Sequence, residues 1–168
     1  MIYLNDLIKH EDSNILEIYL INNFDKVKID LDMNNKKIEE IMKKYKFKNS
    51  IKYKTYFKKN LMYTYELEND NQYVSEKILT NHKIIDNKLG ILVYNEHKNA
   101  THVFGCTNNI DNIIEYKIYE SKINNRISLN IKKQENKNQV YIQYKHSKNV
   151  ETEKIENIIN SIIKNILY

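Results

Sequence analysis

The sequence has no proline or tryptophan, two glycines and one cysteine among its 168 residues. Two glycines are too few for a glycine-rich phosphate-binding loop or a dinucleotide-binding fingerprint. The single cysteine, Cys106, excludes a disulfide bond within the chain. No apolar run approaches the roughly 18 residues that a membrane-spanning helix needs. The length is that of one domain, so we expect residues 1–168 to form a single domain with a real core.

Nothing in the sequence indicates secretion or contact with a membrane. Residues 1–10 contain Asp6 and lack the apolar stretch of a signal peptide. A lone cysteine is typical of proteins in a reducing compartment. We therefore expect an intracellular protein, cytoplasmic or nuclear, with no membrane partner.

Residue usage is strongly skewed. Isoleucine, asparagine and lysine account for 79 of the 168 residues, whereas alanine and arginine occur once each. Residues with GC-rich codons are almost absent, which is typical of an AT-rich genome such as that of a large DNA virus. Because codon bias raises the lysine content, the formal net charge of +5 is weaker support for an anionic partner than the placement of the lysines along the chain.

Alternation of apolar and polar residues predicts strands over most of the chain. Residues 15–21 and 26–31 alternate in this way. From residue 51 to about residue 146, eight further segments alternate, and no helical segment separates one of these eight from the next. The eight segments are 51–57, 61–68, 72–79, 89–95, 101–106, 113–120, 126–132 and 139–146. Asparagine takes the place of glycine and proline in the turns, with Asn124-Asn125 as a clear hairpin. The pattern predicts an α+β fold, a curved antiparallel sheet or β-barrel of about eight strands.

Helical periodicity marks residues 2–10, 34–45 and 151–167. Asn34 is placed to cap the second helix, and two lysines suit its last turn. The third helix carries a broad isoleucine stripe behind an acidic first turn. We expect this last helix to pack on the sheet; the alternative uses of residues 151–167 are contact with a protein partner or with a membrane surface, which the acidic N-terminal half disfavours.

Several predicted strands have one apolar and one charged face. Lys52 and Lys54 share a face of strand 51–57, and Glu115 and Lys117 share a face of strand 113–120. Two structures give this pattern: a sheet whose charged face meets water, and a barrel whose charged face is the lumen. A charged lumen would bind a phosphate chain and a divalent metal. Periodicity alone favours the solvent-facing sheet.

Residues 36–59 form a basic segment with ten lysines and two glutamates, interleaved with tyrosine and phenylalanine. Basic side chains attract phosphates, and aromatic rings stack on unpaired bases. We therefore predict single-stranded RNA or DNA as the partner. The predicted nucleic-acid-binding residues of the whole chain are Lys52, Lys54, Tyr53, Tyr56, Lys117, Tyr119, Arg126, Lys132 and Lys145.

The order of segments also resembles a known family. The sequence LEIY at 16–19 precedes the helix at 34–45, a series of charged strands follows, and RISLN at 126–130 precedes a last alternating strand and a closing helix. This order is similar to that of the tunnel-type, metal-dependent RNA triphosphatases, which are mRNA-capping domains of large DNA viruses and some eukaryotic microbes. The resemblance implies a barrel in which pairs of glutamates hold Mg²⁺ or Mn²⁺ and basic residues hold a triphosphate.

The sequence departs from that family at the metal-binding positions. Ile15 stands where the first glutamate of the opening pair belongs, and Ser128 stands where the family has aspartate. The closing strand offers Tyr141 and Gln143 in place of a second glutamate pair. If the protein is an enzyme, the remaining acidic residues supply four candidate metal-binding carboxylates. These are Glu17, Glu66, Glu68 and Glu115.

We therefore predict a non-catalytic, nucleic-acid-associated protein with no cofactor. It binds single-stranded RNA or DNA, or it is a subunit of a transcription or capping complex. One alternative is an RNA 5′-triphosphatase that needs Mg²⁺ or Mn²⁺. The other is a virion structural or assembly protein that uses the sheet and the last helix for its contacts.

Overall fold

The computed structural model describes residues 25–48, 50–85, 88–102, 112–135, 137–147 and 152–167. The helix predicted at 2–10 and the strand predicted at 15–21 lie outside the described residues. Of the strand predicted at 101–106, only residues 101 and 102 are described, and they belong to no strand. The other predicted strands and helices are present.

Eight segments with alternating side chains form one closed antiparallel barrel. The strands are β1 (Lys26–Leu31), β2 (Ile51–Lys58), β3 (Leu61–Glu66), β4 (Asn71–Ile85), β5 (Leu89–Ala100), β6 (Ile114–Lys122), β7 (Ile127–Gln134) and β8 (Lys137–Lys145). Around the barrel they follow the order β1-β5-β4-β3-β2-β6-β7-β8, and β8 pairs with β1 to close it. The predicted α+β fold with about eight antiparallel strands is confirmed.

Strands β4 and β5 extend beyond the segments predicted at 72–79 and 89–95. They contain 15 and 12 residues and pair along most of their length. A register shift between Leu79 and Asn81 interrupts the alternation of β4, so the pattern ends there while the strand continues. The second half of β5 is mostly polar and therefore carries no apolar signal.

Two helices occur within these ranges, α1 (Asn35–Lys44) and α2 (Thr152–Leu167), as predicted. Asn34 caps α1, because its Oδ1 accepts a hydrogen bond from the backbone N–H of Lys37 at 2.9 Å. Neither of these helices is long and apolar enough to cross a bilayer.

The hydrophobic core lies between the helices and one side of the barrel. Strands β1, β5, β7 and β8 contribute their outer faces, including Ile29, Leu129 and Ile142, which have no exposed surface. The helices contribute Ile38 from α1 and Ile159 from α2, each 1% exposed. Burial of such apolar surface is the main force that holds the helices on the barrel. The isoleucine stripe of α2 is therefore used inside the protein.

Ile142→Ala should lower the free energy of unfolding by roughly 2–5 kcal/mol, because it deletes fully buried methyl groups and leaves a cavity. Ile84→Ala makes the same chemical change at a side chain that is 71% exposed, and we expect a loss below about 0.5 kcal/mol. Urea unfolding of both variants measures the two losses. Equal losses would contradict this placement of the core.

Candidate functional site

The inside of the barrel is a polar cavity. Residues directly opposite one another on paired strands share a face, as Lys77 does with Glu96 and Tyr53 with Tyr116. These side chains point inward, into a cavity of about 290 Å³. Its lining consists of Lys28, Tyr53, Met62, Glu66, Tyr73, Lys77, Tyr94, Glu96, Lys98, Tyr116, Ile118, Glu120, Asn130, Lys132, Tyr141 and Gln143. The barrel with a charged lumen has therefore formed, rather than the solvent-facing sheet that periodicity favoured.

Glu96 lies at the centre of the positive charge in this lumen. Lys26 Nζ lies 2.6 Å from Glu96 Oε1, and Lys98 Nζ lies 3.2 Å from the same oxygen. Lys77 Nζ lies 3.9 Å from the other carboxylate oxygen, Oε2. The Glu96 side chain is only 6% exposed. One buried carboxylate thus faces three ammonium groups, and the cluster keeps a net positive charge.

Opposing effects act on the pKa of Glu96. Burial raises it, because the carboxylate loses hydration, whereas the hydrogen bond from Lys26 and the charges of the three lysines lower it. The lysines outweigh burial and hold the pKa below its ordinary value. Burial lowers the pKa of Lys77, although the charge of Glu96 opposes this effect. The carboxylate is consequently ionised at neutral pH.

Four lysines of the lumen lie over tyrosine rings. The distances from Nζ to the ring centroid are 4.3 Å for Lys132 and Tyr116, 4.6 Å for Lys28 and Tyr141, 4.7 Å for Lys98 and Tyr73, and 5.2 Å for Lys77 and Tyr94. At these distances the negative face of the ring attracts the cation. The rings restrain the long lysine side chains, those of Lys77 and Lys98 being 43% and 48% exposed, and they leave ammonium N–H groups free to donate to a ligand.

The tyrosine hydroxyls of the lumen stay protonated. Burial is the main cause that raises the pKa of Tyr73, Tyr94 and Tyr116 to about 12. Tyr116 Oη lies 2.7 Å from Thr55 Oγ1, and the Tyr116 ring stacks on Tyr53 with the centroids 5.4 Å apart. These tyrosines are neutral hydrogen-bonding groups and aromatic surfaces rather than nucleophiles.

Among the described residues of the lumen, the carboxylates of Glu66, Glu96 and Glu120 do not form a site for a hard divalent cation. Mg²⁺ and Mn²⁺ take oxygen ligands that converge on one point, and carboxylates are prominent among them. Glu96 is engaged by three ammonium groups, and Glu66 accepts a hydrogen bond from Asn69 Nδ2 at 3.2 Å. In the part of the chain that the structure describes, no three His, Cys, Asp or Glu residues are grouped so as to hold a metal ion. These residues therefore do not match the metal centre that the resemblance implies.

The three candidate metal-binding carboxylates that the structure describes are not brought together. Glu66 lines the lumen. Glu68 is exposed in the turn between β3 and β4. Glu115 lies on the outer face of β6, where its carboxylate is 3.5 Å from Lys54 Nζ. Glu17 lies outside the described residues.

The predicted nucleic-acid-binding residues fall into three groups. Tyr53 and Lys132 line the lumen. Arg126 and Lys145 lie beside a small cavity of about 80 Å³ near the turn between β6 and β7. The outer face of the barrel carries Lys52, Lys54, Tyr56, Lys117 and Tyr119. Tyr56 is buried and stacks on Tyr63 at 4.7 Å, so its ring is not available to a base, and Tyr119 packs against the core.

On strands β2 and β6, the face that points into the lumen is not the charged face, although a lumen made of charged faces would require it. Such a lumen would have included Lys52 and Lys117, but the structure turns Tyr53 and Tyr116 inward and the two lysines outward. The expectation is wrong for these strands. The helices cover the outer faces of the other side of the barrel, whereas the outer faces of β2 and β6 carry charges that water solvates.

Sequence analysis did not identify most of the charged residues in and beside the lumen. The missed residues are Lys26, Lys28, Lys77, Glu96, Lys98 and Glu120. Glu96 and Lys98 lie in the polar half of β5, where no strand was expected. A signal was nevertheless present, because Lys26 and Lys28, like Glu96 and Lys98, are spaced by two residues, as side chains on one face of a strand are.

Comparison with known proteins shows similarity in fold only. No family model matches the sequence, and no curated protein matches it significantly. The RNA triphosphatase domain of a trifunctional mimivirus mRNA capping enzyme aligns with a TM-score of 0.57 at 12% identity, over 95% of this chain and 98% of that domain. The PH1012 protein from Pyrococcus horikoshii aligns with a TM-score of 0.56 at 11% identity, over 84% of this chain and 89% of that one. A conserved hypothetical protein from Pyrococcus furiosus aligns with a TM-score of 0.55 at 14% identity, over 83% of this chain and 88% of that one. The resemblance to the tunnel-type triphosphatases is thus confirmed at the level of the fold.

The free energy of unfolding should fall with pH in acid more steeply for the wild type than for Glu96→Gln. The pKa of Glu96 is lower in the folded protein than its ordinary value of 4.5, so its charge adds stability that is complete above pH 4.5 and is lost as the pH falls through the folded pKa. Glu96→Gln lacks this proton uptake. It should also be less stable at neutral pH by about 3 kcal/mol, because three ammonium groups lose their counter-charge.

Urea unfolding between about pH 7 and pH 3 measures these free energies. Glu68→Gln is the matched control, because it removes an exposed carboxylate, and it should follow the wild type. Parallel curves for Glu96→Gln and the wild type would contradict the role of Glu96 in the lumen.

Proposed function

We propose that this protein binds the 5′-triphosphate end of a single-stranded RNA inside the barrel and does not hydrolyse it. The observation that carries the proposal is the lysine-rich lumen, in which the Glu96 carboxylate balances only one of three ammonium groups within 4 Å. The protein would then be associated with nucleic acid without being an enzyme.

The chemistry of the lumen suits an anion with several charges. An ammonium group offers three N–H donors and binds phosphate as a point charge. Its attraction for phosphate is stronger inside the barrel than on the surface, because less water screens the charges. The tyrosine rings hold the lysines in place before a ligand arrives, which reduces the entropy that binding costs.

The arrangement of the lysines favours a chain of phosphates over a single one. Lys28 comes from β1, Lys77 from β4, Lys98 from β5 and Lys132 from β7, so the ammonium groups are spread along the part of the lumen formed by β4, β5, β1, β8 and β7. A triphosphate can contact lysines on several of these strands at once, whereas a monophosphate can contact only those grouped around one point, such as Lys77 and Lys98.

Two observations favour RNA as the molecule that carries the triphosphate. The mimivirus domain with the same fold is named an RNA triphosphatase, and the similarity extends over 98% of that domain. The stacked rings of Tyr53 and Tyr116 also offer an aromatic surface at the lumen, on which an unpaired base can stack.

The donor groups of the lumen support binding rather than hydrolysis. Hydrolysis of a triphosphate by this fold would need a bound divalent cation to stabilise the charge that develops on the phosphates. The carboxylates of the described residues do not converge on such a site. The tyrosine hydroxyls, with pKa values raised by burial, do not supply a base or a nucleophile.

A second candidate function is a metal-dependent RNA 5′-triphosphatase, and the similarity in fold to the mimivirus domain favours it. This function would require carboxylates from outside the described residues, such as Glu17, to join Glu66 in the lumen.

RNA with a 5′-triphosphate should bind more tightly than the same RNA with a 5′-hydroxyl, and Lys77→Gln or Lys132→Gln should weaken its binding by about tenfold, because each removes a charge-assisted hydrogen bond. Glu96→Gln should tighten binding, since it raises the positive charge of the lumen. The exposed Lys36→Gln on α1 is the control for loss of a surface charge. Fluorescence anisotropy with a 3′-labelled RNA measures these affinities, and equal losses for Lys36→Gln and Lys77→Gln would contradict the proposal.

Incubation of the same RNA with Mg²⁺ or Mn²⁺ distinguishes the two candidate functions. We expect no release of phosphate. Release that Glu17→Ala abolishes would establish the triphosphatase function and overturn the non-catalytic one.

A further inference from the structure

We infer that the RNA leaves the lumen across three lysines on the outer face of the barrel, which bind its backbone phosphates. These are Lys52 on β2, Lys117 on β6 and Lys133 on β7, here called the outer lysine row. The inference rests on the proposed function, because it extends the path of the same RNA beyond its triphosphate end.

The register of the sheet places the three lysines side by side. Lys52 lies directly opposite Lys117, and Lys117 lies directly opposite Lys133. Their neighbours Tyr53 and Tyr116 point into the lumen, so Lys52 and Lys117 point outward. Adjacent strands are about 4.8 Å apart, so the row concentrates three positive charges within a width of roughly 10 Å.

This arrangement is unfavourable without an anion. Like charges directly opposite one another on paired strands repel, which lowers the stability of the sheet. Lys133 has a partner, since its Nζ lies 3.1 Å from Glu39 Oε1 of α1. Lys52 and Lys117 are both exposed, and the ion pairs of the described residues include neither of them. A polyanion on the row would supply the missing counter-charge.

The outer lysine row lies on the outside of the same strands whose inner faces line the lumen. A surface cavity of about 410 Å³ is lined by all three lysines and by Tyr119. The same cavity is lined by Tyr53 and Tyr116, the two stacked rings that also line the lumen. An RNA whose triphosphate occupies the lumen can meet the row once it has passed around the end of the barrel.

Single-stranded RNA fits this surface better than an acidic protein segment does. The surface presents a row of cations, which binds the closely spaced phosphates of a nucleic-acid strand. The row contains lysine and no arginine. Lysine binds phosphate as a point charge and lacks the bidentate contacts by which arginine recognises bases, so the row suits contacts to the RNA backbone. The path from the lumen also requires a flexible chain with a charged end.

The test measures the affinity of the wild type and of the double variant Lys52→Gln/Lys117→Gln for two ligands. Tripolyphosphate probes the lumen without an RNA chain that extends to the row, whereas a 12-nucleotide RNA with a 5′-triphosphate can reach both sites. We expect the double variant to bind tripolyphosphate like the wild type and to bind the RNA at least tenfold more weakly. The salt dependence of RNA binding should also fall, by about 1.4 in the slope of log K against log salt, since each lysine–phosphate contact contributes about 0.7. Lys58→Gln/Lys59→Gln, which removes two exposed charges at the far end of β2, is the matched control and should leave both affinities unchanged.

The outcomes separate this inference from the proposed function. Unchanged RNA affinity and salt slope in Lys52→Gln/Lys117→Gln, with tripolyphosphate bound normally, would overturn the outer lysine row and leave the lumen intact. If the wild-type protein binds the RNA through the row but does not bind tripolyphosphate, the proposal that the lumen binds the triphosphate is overturned and the role of the row is supported. Binding of an acidic peptide to the row with no binding of RNA would overturn the inference. Urea unfolding confirms that both double variants are folded.

Discussion

Positive charge enclosed in a barrel is the constraint on which the rest of the structure depends. Lys26, Lys77 and Lys98 lie within 4 Å of a single buried carboxylate, that of Glu96. Without this carboxylate, the repulsion between the ammonium groups and their loss of hydration would oppose closure of the barrel. Tyrosine rings beneath the lysines add further attraction. The lumen is thus stable enough to fold and still positive enough to attract an anion.

One-sided coverage by the helices explains why the barrel has two different basic surfaces. The core on β1, β5, β7 and β8 takes the apolar side chains of those strands, so their polar side chains fill the lumen. On β2 and β6 the tyrosines Tyr53 and Tyr116 fill the lumen, and the lysines lie outside. The wall formed by these two strands lies between the two basic surfaces.

Sequence patterns predict those elements whose signal is local. The cap formed by Asn34, the alternation in β1 and the isoleucine stripe of α2 all depend on near neighbours, and each is present as expected. The extent of β4 and β5 depends on pairing between them across a register shift, which no local pattern reports. The role of Glu96 depends on lysines up to 70 residues away, so its partners become visible only in the folded barrel.

A crystal structure of the protein with tripolyphosphate would test the central claim most directly. We expect the anion inside the barrel, with its oxygens within hydrogen-bonding distance of Lys77, Lys98 and Lys132 and with no divalent cation between the anion and the protein. Tripolyphosphate bound only on the outer surface, or bound in the lumen through a metal ion held by carboxylates, would contradict a lumen that binds polyphosphate through lysine alone.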